Sequence, residues 1–259
     1  MSRPVPAATP LHDAVCIVTG GGSGIGRALC LLLASEGAKV VVVGRTEAKV
    51  HAVQAEVRGA GGVAVARVVD VADQRATRVM VEEVLRELGR IDVLVNNAGH
   101  SSPHRRLLST TPDEIRGVFD SNIMGAIFCT QAVVPSMRAA GKGTIVNVSS
   151  VSAEEPGILG GMAYSAAKAA VTNFTRFLNQ ELRNTGVRAS VVFPGEVDTP
   201  ILDQRPTPPA PEARATMITP EDVAEAITFI LRMPARATVS ELVIRPTMVR
   251  SVEPELEKD

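Results

Sequence analysis

The chain reads as one α/β domain: a doubly wound, parallel, seven-stranded sheet with helices on both faces. Three observations predict this. Short β-branched runs recur along the chain with helical stretches between them. Several of these runs are apolar at consecutive positions, as parallel strands covered on both faces require. A glycine-rich turn, "TGGGSGIG" (Thr19–Gly26), joins the first run to the first helical stretch. At 259 residues the chain is long enough to bury one sizeable core.

Taken in order, the seven strands are "VCIVTG" (Val15–Gly20), "KVVVVG" (Lys39–Gly44), "VAVARVVD" (Val63–Asp70), "IDVLVNNAG" (Ile91–Gly99), "TIVNVSS" (Thr144–Ser150), "VRASVVFPG" (Val187–Gly195) and "ELVIRP" (Glu241–Pro246). Helix starts are marked by Thr46 before "EAKVHAVQAEVR", by Asp73 before "QRATRVMVEEVLREL", and by Thr219, Pro220 and Asp222 in "TPEDVAEAITFIL". Gly37, Gly59, Gly89 and Gly186 are the expected helix stops. The domain so defined covers residues 12–246, after a flexible segment 1–11 and before an acidic, mobile tail 247–259. "PILDQRPTPPAPEARATMI" (Pro200–Ile218) is too rich in proline for a long helix and is expected to form a lid.

The formal net charge of −1 argues against a nucleic-acid binder, which would carry a basic face. The opening "MSRPVPAATP" lacks the apolar core of a signal peptide, and no apolar run reaches the roughly 18 residues of a membrane span. A soluble, cytoplasmic protein is expected, with small molecules or copies of itself as partners. Cys16, Cys30 and Cys129 are an odd number without metal-ligand spacing and read as buried thiols, so no metal site is expected.

Glycines let backbone approach a ligand closely, and a following helix offers free N–H groups and a positive dipole end to phosphate. The alternative phosphate loop, GxxxxGK[ST], fails here because Arg27–Ala28 stands where Lys and Ser or Thr would be. A dinucleotide is therefore favoured over ATP or GTP, with Gly20, Gly22, Ser23, Gly24, Ile25 and Gly26 around its phosphates. Roughly 20 residues on, where an acid would bind the ribose 2′-hydroxyl of NAD, stand Gly44, Arg45 and Thr46. Gly44 leaves room for a 2′-phosphate and Arg45 offers it a fork of donors. The expected cofactor is NADP, with NAD the alternative.

Ligands of open α/β sheets sit beyond the carboxyl ends of the strands, where Asp70, Asn96, Asn97, Ser149, Ser150, Pro194 and Gly195 fall. Tyr164 and Lys168 begin the helix after Ser150, four residues apart and so on one face. A free tyrosine has a pKa of about 10, and a nearby cation lowers it. Lys168 supplies such a cation, and Ser150 a hydrogen bond to a substrate oxygen. Proton transfer at that oxygen, coupled to hydride transfer at its carbon, interconverts alcohol and carbonyl.

In order along the chain, Thr19-Gly20-x-x-x-Gly24-x-Gly26, Asp70-Val71, Asn96-Asn97-Ala98-Gly99, Asn122, Ser150, Tyr164-x-x-x-Lys168 and Pro194-Gly195 with Thr199 resemble the motifs of the short-chain dehydrogenase/reductase family, on a Rossmann fold over about residues 12–246. The resemblance implies an oxidoreductase acting on a small alcohol or carbonyl. In it Tyr164 is the acid/base, Lys168 lowers its pKa and holds the nicotinamide ribose, Ser150 orients the substrate, and Asn122 supports a proton-relay water. It further implies that Asp70 bonds the adenine amino group, that Asn96 fixes the ribose region, that Val197 and Thr199 hold the carboxamide, and that the chain forms a homotetramer or dimer through the helices of Asn122 and Tyr164. One departure stands out: the family serine lies thirteen residues before the tyrosine, which here is Val151, so Ser150 is one residue further away. The other reading, a silent dinucleotide-binding sensor or scaffold, would be expected to have lost some of Ser150, Tyr164, Lys168 and Asn122; the chain keeps all four.

Overall fold

A computed structural model describes residues 11–256. Its seven strands are β1 (Val15–Thr19), β2 (Lys39–Gly44), β3 (Val63–Val68), β4 (Val93–Asn96), β5 (Gly143–Val148), β6 (Val187–Pro194) and β7 (Glu241–Ile244). Every pairing is parallel, and the spatial order is β3-β2-β1-β4-β5-β6-β7. The chain winds outward from β1 in one direction and from β4 in the other, so the reversal between them opens a crevice at their carboxyl ends.

The helices are α1 (Gly24–Ser35), α2 (Glu47–Gly59), α3 (Gln74–Leu88), α4 (Pro112–Phe119), α5 (Gly125–Ala140), α6 (Met162–Glu181), α7 (Pro211–Arg214), α8 (Pro220–Arg232) and α9 (Glu253–Leu256). Alternation along each strand divides the core. Cys16, Val18, Val40 and Val42 face α1, α2 and α8, while Val15, Ile17, Val41 and Val43 face α3, α5 and α6. All eight are essentially inaccessible. Burying each is worth about 1.5–3 kcal/mol, which is why near-continuous valine runs specify a sheet covered on both sides.

Several expectations are refined. Asp73 caps α3 through Ala76 N, and Thr219 forms a capping box with Asp222, but Thr46 occupies the cap position of α2 without a side-chain bond. Gly37 and Gly89 do end helices with positive φ. Gly59, however, is the last residue of α2, and Gly61 carries the left-handed turn. Gly186 lies beyond the end of α6; it has φ 82°, and a Cβ there would sit 1.9 Å from Gly141 O, so close approach as well as the turn demands glycine.

The three cysteines are buried and unbridged. Burial raises the Cys16 and Cys30 thiols far above their ordinary range and pushes Cys129 up to about 12, so none is a ready thiolate. The helical run 112–140 is, against expectation, long and apolar enough to cross a membrane, at 29 residues; half of its 18-residue apolar window is buried inside the fold, as in the core helix of a globular domain.

The expected flexible segment falls on residues 1–10, outside those described, apart from Leu11, which is buried and belongs to the domain. The expected mobile tail is corrected within the described residues: α9 docks onto the domain, with Arg106 Nη2 donating to Leu256 O at 2.9 Å and Glu255 bound by Arg205 and Arg250. A carboxylate between two guanidiniums outweighs the polar composition that suggested disorder. Among the described residues no group of three or more metal-ligating side chains occurs.

Candidate active site

A cavity of about 410 Å³ lies beyond the carboxyl ends of β1, β4, β5 and β6. At one end the glycine turn contributes Gly20, Ser23, Gly24 and Ile25. Gly20 and Gly24 have φ of 65° and 50°, which glycine adopts at little cost. A Cβ on Gly26 would sit 2.2 Å from Gly20 O, and one on Gly22 2.9 Å from Lys49 Cβ, so the turn closes only around bare backbone. Ser23 makes no side-chain cap bond and the first turn of α1 has no acidic residue, which leaves its N–H groups and dipole facing the cavity. The arrangement fits a pyrophosphate.

Thr19 serves the frame around the ligand. Its buried hydroxyl accepts from Asn97 N and Ala98 N, both at 3.0 Å, and donates to Val95 O, tying the end of β1 to the end of β4. Ala98 and Gly99 then line the cavity. Asn96 does not. Its amide turns into the core, donating to Asn147 Oδ1 at 2.8 Å and Thr130 Oγ1 at 3.2 Å, so its side chain bonds β4 to β5 and the helix behind them. Successive strand residues face opposite sides, and the cavity-lining member of the pair is Asn97, whose Nδ2 donates to Thr19 O.

The residues expected around the adenine ribose stand apart from this cavity, at the outer end of β2 and β3. Arg45 Nη1 lies 3.7 Å from Asp70 Oδ2, with both side chains about half exposed, and Asp70 Oδ1 accepts from Ala72 N. Gly44 packs near Val50, whose Cγ1 would be 3.0 Å from a Cβ. The uncapped Thr46 hydroxyl is exposed beside Arg45. Val71 is buried against Gly125, where a Cβ would come within 2.5 Å of its Cγ2, so its side chain is a packing contact.

At the other end stand the polar groups of β5, α6 and the turn between α4 and α5. Tyr164 and Lys168 share one face of α6, with the ammonium 5.5 Å from the ring centroid. Lys168 is buried and donates from Nζ to Val148 O at 2.8 Å. Burial without a carboxylate partner pushes its pKa down to about 8. Ser150 lines the cavity beside Tyr164, acts to lower the phenol's pKa, and its hydroxyl accepts from Ser152 N. Ser149 is turned away: its hydroxyl bonds Lys168 O and Thr172 Oγ1, both at 2.9 Å.

Tyr164 departs from expectation. Burial raises its pKa above the ordinary value, outweighing the hydrogen bond with Ser150 and the charges of Arg105 and Arg205, which act to lower it. The Lys168 ammonium lies over the face of the ring and donates to Val148 O.

Asn122 sits in a π-helical turn, Asp120–Met124, interrupting the run from α4 to α5. Its Nδ2 donates to His100 O and Val118 O, both at 2.8 Å. Its Oδ1 is buried and unpartnered among the described residues, and it points at Gly99, where a Cβ would be 2.3 Å away. A bare carbonyl is thus presented at the cavity wall. Beside it His100 Nδ1 meets Ser121 Oγ at 2.8 Å, and burial and the Arg45 charge lower its pKa.

Pro194 at the end of β6 and Gly195, Val197 and Thr199 in the loop after it complete the enclosure. Thr199 Cγ2 would lie 3.2 Å from a Cβ on Gly24, so the loop closes directly over the glycine turn. Sequence reasoning missed Arg105 and Glu196, which also line the cavity, while Arg205, another lining residue, falls in the expected lid segment. Arg105 lies in a loop without periodicity, and Glu196, inside the motif-bearing stretch Pro194–Thr199, carried a positional signal.

Comparisons with known proteins agree with this arrangement. Residues 14–209 match the family described as short chain dehydrogenase. The short-chain reductase protein NovJ of Streptomyces niveus is 38% identical over 247 residues, covering 90% of this chain and 93% of that one. An uncharacterized oxidoreductase of Staphylococcus saprophyticus is 35% identical over 242 residues, covering 91% and 98%. The crystal structure of a metagenomic short-chain oxidoreductase in complex with NADP superposes with a TM-score of 0.80 at 32% identity, covering 93% of this chain and all of that one. Motifs, sheet order and cavity together place the chain in the short-chain dehydrogenase/reductase family, as an NAD(P)-dependent oxidoreductase acting on CH–OH groups.

Proposed function

We propose that the protein is an NADP-dependent oxidoreductase, less favourably NAD-dependent, interconverting an alcohol and a carbonyl of a small molecule with Tyr164 as acid/base. One observation carries the reading: Ser150, Tyr164, Lys168 and Asn122 meet in the cavity whose far end is the glycine turn. When bound, the nicotinamide supplies or accepts the hydride. Ser150 holds the substrate oxygen and Tyr164 gives it a proton during reduction. Lys168 and the Asn122 carbonyl support that proton's replacement, and Lys168 holds the ribose. Val197 and Thr199 orient the carboxamide, and Thr19, Gly20, Gly22, Ser23, Gly24, Ile25 and Gly26 shape the pyrophosphate end. Mixing the protein with NADPH and a panel of ketones and diketones, and following nicotinamide absorbance, tests the reading; no turnover with any of them counts against it.

Support for NADP is the Arg45 guanidinium at the end of β2 with no carboxylate at Gly44, and the NADP held by the metagenomic relative. Arg45→Ala is expected to raise KM for NADPH roughly ten-fold or more, the loss of one or two charge-assisted bonds of about 1.5–3 kcal/mol each, with NADH kinetics almost untouched. Equal impairment with both cofactors would reverse the preference. Assembly as a homotetramer or dimer through the helices carrying Asn122 and Tyr164, and action in the cytoplasm, belong to the same reading.

The segment after Thr199 is read as the substrate lid. Its two ends are pinned together, with Asp198 N donating to Ile218 O at 2.9 Å and Ile218 N to Glu196 O at 3.1 Å. Between them only a 3₁₀ turn, Pro200–Gln204, and the short α7 supply regular bonds. Hydrogen exchange across Pro200–Ile218 is expected to slow when NADPH and substrate bind. Strong, equal protection with and without ligand would make it a fixed wall.

A further inference from the structure

Four charged side chains, of which only Arg205 acts on the proposed acid/base through its charge, meet at the edge of the cavity. Glu196 follows Gly195, Arg205 ends the 3₁₀ turn Pro200–Gln204, and Arg250 and Glu255 come from the last described stretch. Arg250 grips Glu196 with two bonds, Nε to Oε2 and Nη2 to Oε1, each 2.7 Å, and also binds Glu255. Arg205 Nη1 reaches Glu196 Oε1 at 3.1 Å and Glu255 Oε2 at 2.9 Å. Both arginine side chains are 11% exposed, Glu196 23% and Glu255 8%. Each carboxylate therefore touches both guanidiniums, the charges balance two against two, and little water screens them. Burial alone would raise the Glu196 carboxyl, yet the Arg250 bonds and the Arg205 charge hold it below its ordinary value.

The network joins the segment after β6 to a stretch some 50 residues further on, and its position gives it a consequence for substrate. Arg205 and Leu159 line the main cavity and also a smaller hollow that Glu255 and Leu256 line with them. The turn that Arg205 ends supplies Pro200, Ile201 and Leu202 to the main cavity wall. From these contacts we infer that the stretch Arg250–Leu256 is a latch closing the outer end of the substrate cavity, with Glu255 a positioning residue that acts through Arg205 and sets how large a group the substrate carbonyl carries. This rests on the cavity being the carbonyl site proposed above. Without the Glu255 carboxylate two guanidiniums share Glu196 alone, α9 loses its strongest tether, and the turn behind Ile201 and Leu202 loses its brace. The glycine turn and Arg45, at the other end of the cofactor site, are untouched.

The test compares the full chain with Glu255→Gln, Arg250→Gln and Glu255→Asp, the last retaining the carboxylate. NADPH affinity is read by fluorescence titration, hydrogen exchange at Pro200–Arg205 without ligand, and kcat and KM with NADPH for methyl ketones of increasing chain length. Glu255→Gln and Arg250→Gln are expected to speed exchange at Pro200–Arg205 and to raise KM for the smallest ketones roughly ten-fold. The kcat/KM ratio of long to short ketones should rise by a similar factor, with the NADPH dissociation constant changing less than about two-fold and Glu255→Asp close to wild type. An unchanged chain-length profile in either folded variant, or an NADPH affinity that falls as far as ketone affinity, overturns the latch. Should the wild type reduce no ketone, the proposed reaction fails, and exchange decides the latch: unchanged protection at Pro200–Arg205 in both glutamine variants overturns it, and loss of protection that Glu255→Asp restores upholds it.

Discussion

Tyr164→Phe is expected to lower turnover by several orders of magnitude while leaving NADPH affinity nearly unchanged. The ring is kept, so the shape of α6 and its packing against Val118 and Ala163 persist. Only the hydroxyl goes, and with it the group that exchanges a proton with the substrate oxygen; general acid–base catalysis alone is worth about 10²–10⁴-fold. The sign of the Tyr164 shift adds a pH signature. Burial raises its pKa, so the phenol stays protonated above its ordinary titration range. Carbonyl reduction, which needs the protonated form, should therefore hold its rate into alkaline solution, whereas alcohol oxidation, which needs the phenolate, should climb with pH. Steady-state kcat in both directions from pH 6 to 10 checks this. Near wild-type turnover in Tyr164→Phe would remove the acid/base role from this residue.

Lys168→Ala is expected to damage turnover and cofactor affinity together, because one ammonium serves the ribose and the proton path. Loss of neither would return the residue to a purely structural part. Stability should move the other way in the volume-conserving Lys168→Met. Burial depresses the lysine from an ordinary 10.5 to about 8 in the folded state. Below pH 8 folded and unfolded chains both carry the proton, and the fold bears the full cost of a buried charge. Between pH 8 and 10.5 the unfolded chain binds more protons than the folded one, so wild-type stability rises through that window. Lys168→Met should thus unfold at a higher temperature than wild type near pH 7, and the gap should narrow towards pH 10. A gap independent of pH would mean that Lys168 keeps its charge through the same range as a solvent-exposed lysine.

Much of this was legible in the residues alone because it is local. Runs such as Val40–Val43 satisfy a strand covered on both faces, and all seven predicted strands form, β2 with its predicted bounds and the others with each end within three residues of the predicted one. The i, i+4 spacing of Tyr164 and Lys168 put phenol and ammonium on one helix face, and the glycines of Thr19–Gly26 announced backbone brought close to phosphate. What only the tertiary structure decided depends on which surfaces meet. Asn96 and Asn97 are adjacent and chemically identical, yet one bonds Asn147 in the core while the other borders the cavity, because the sheet sets the phase of the strand end. Composition made the last stretch a charged, loose tail; Glu255 is instead held between Arg205 and Arg250, a pairing 50 residues apart in one case. Tyr164 moved upward in pKa and not down, since desolvation scales with everything packed around a group and a sequence records only its neighbours along the chain.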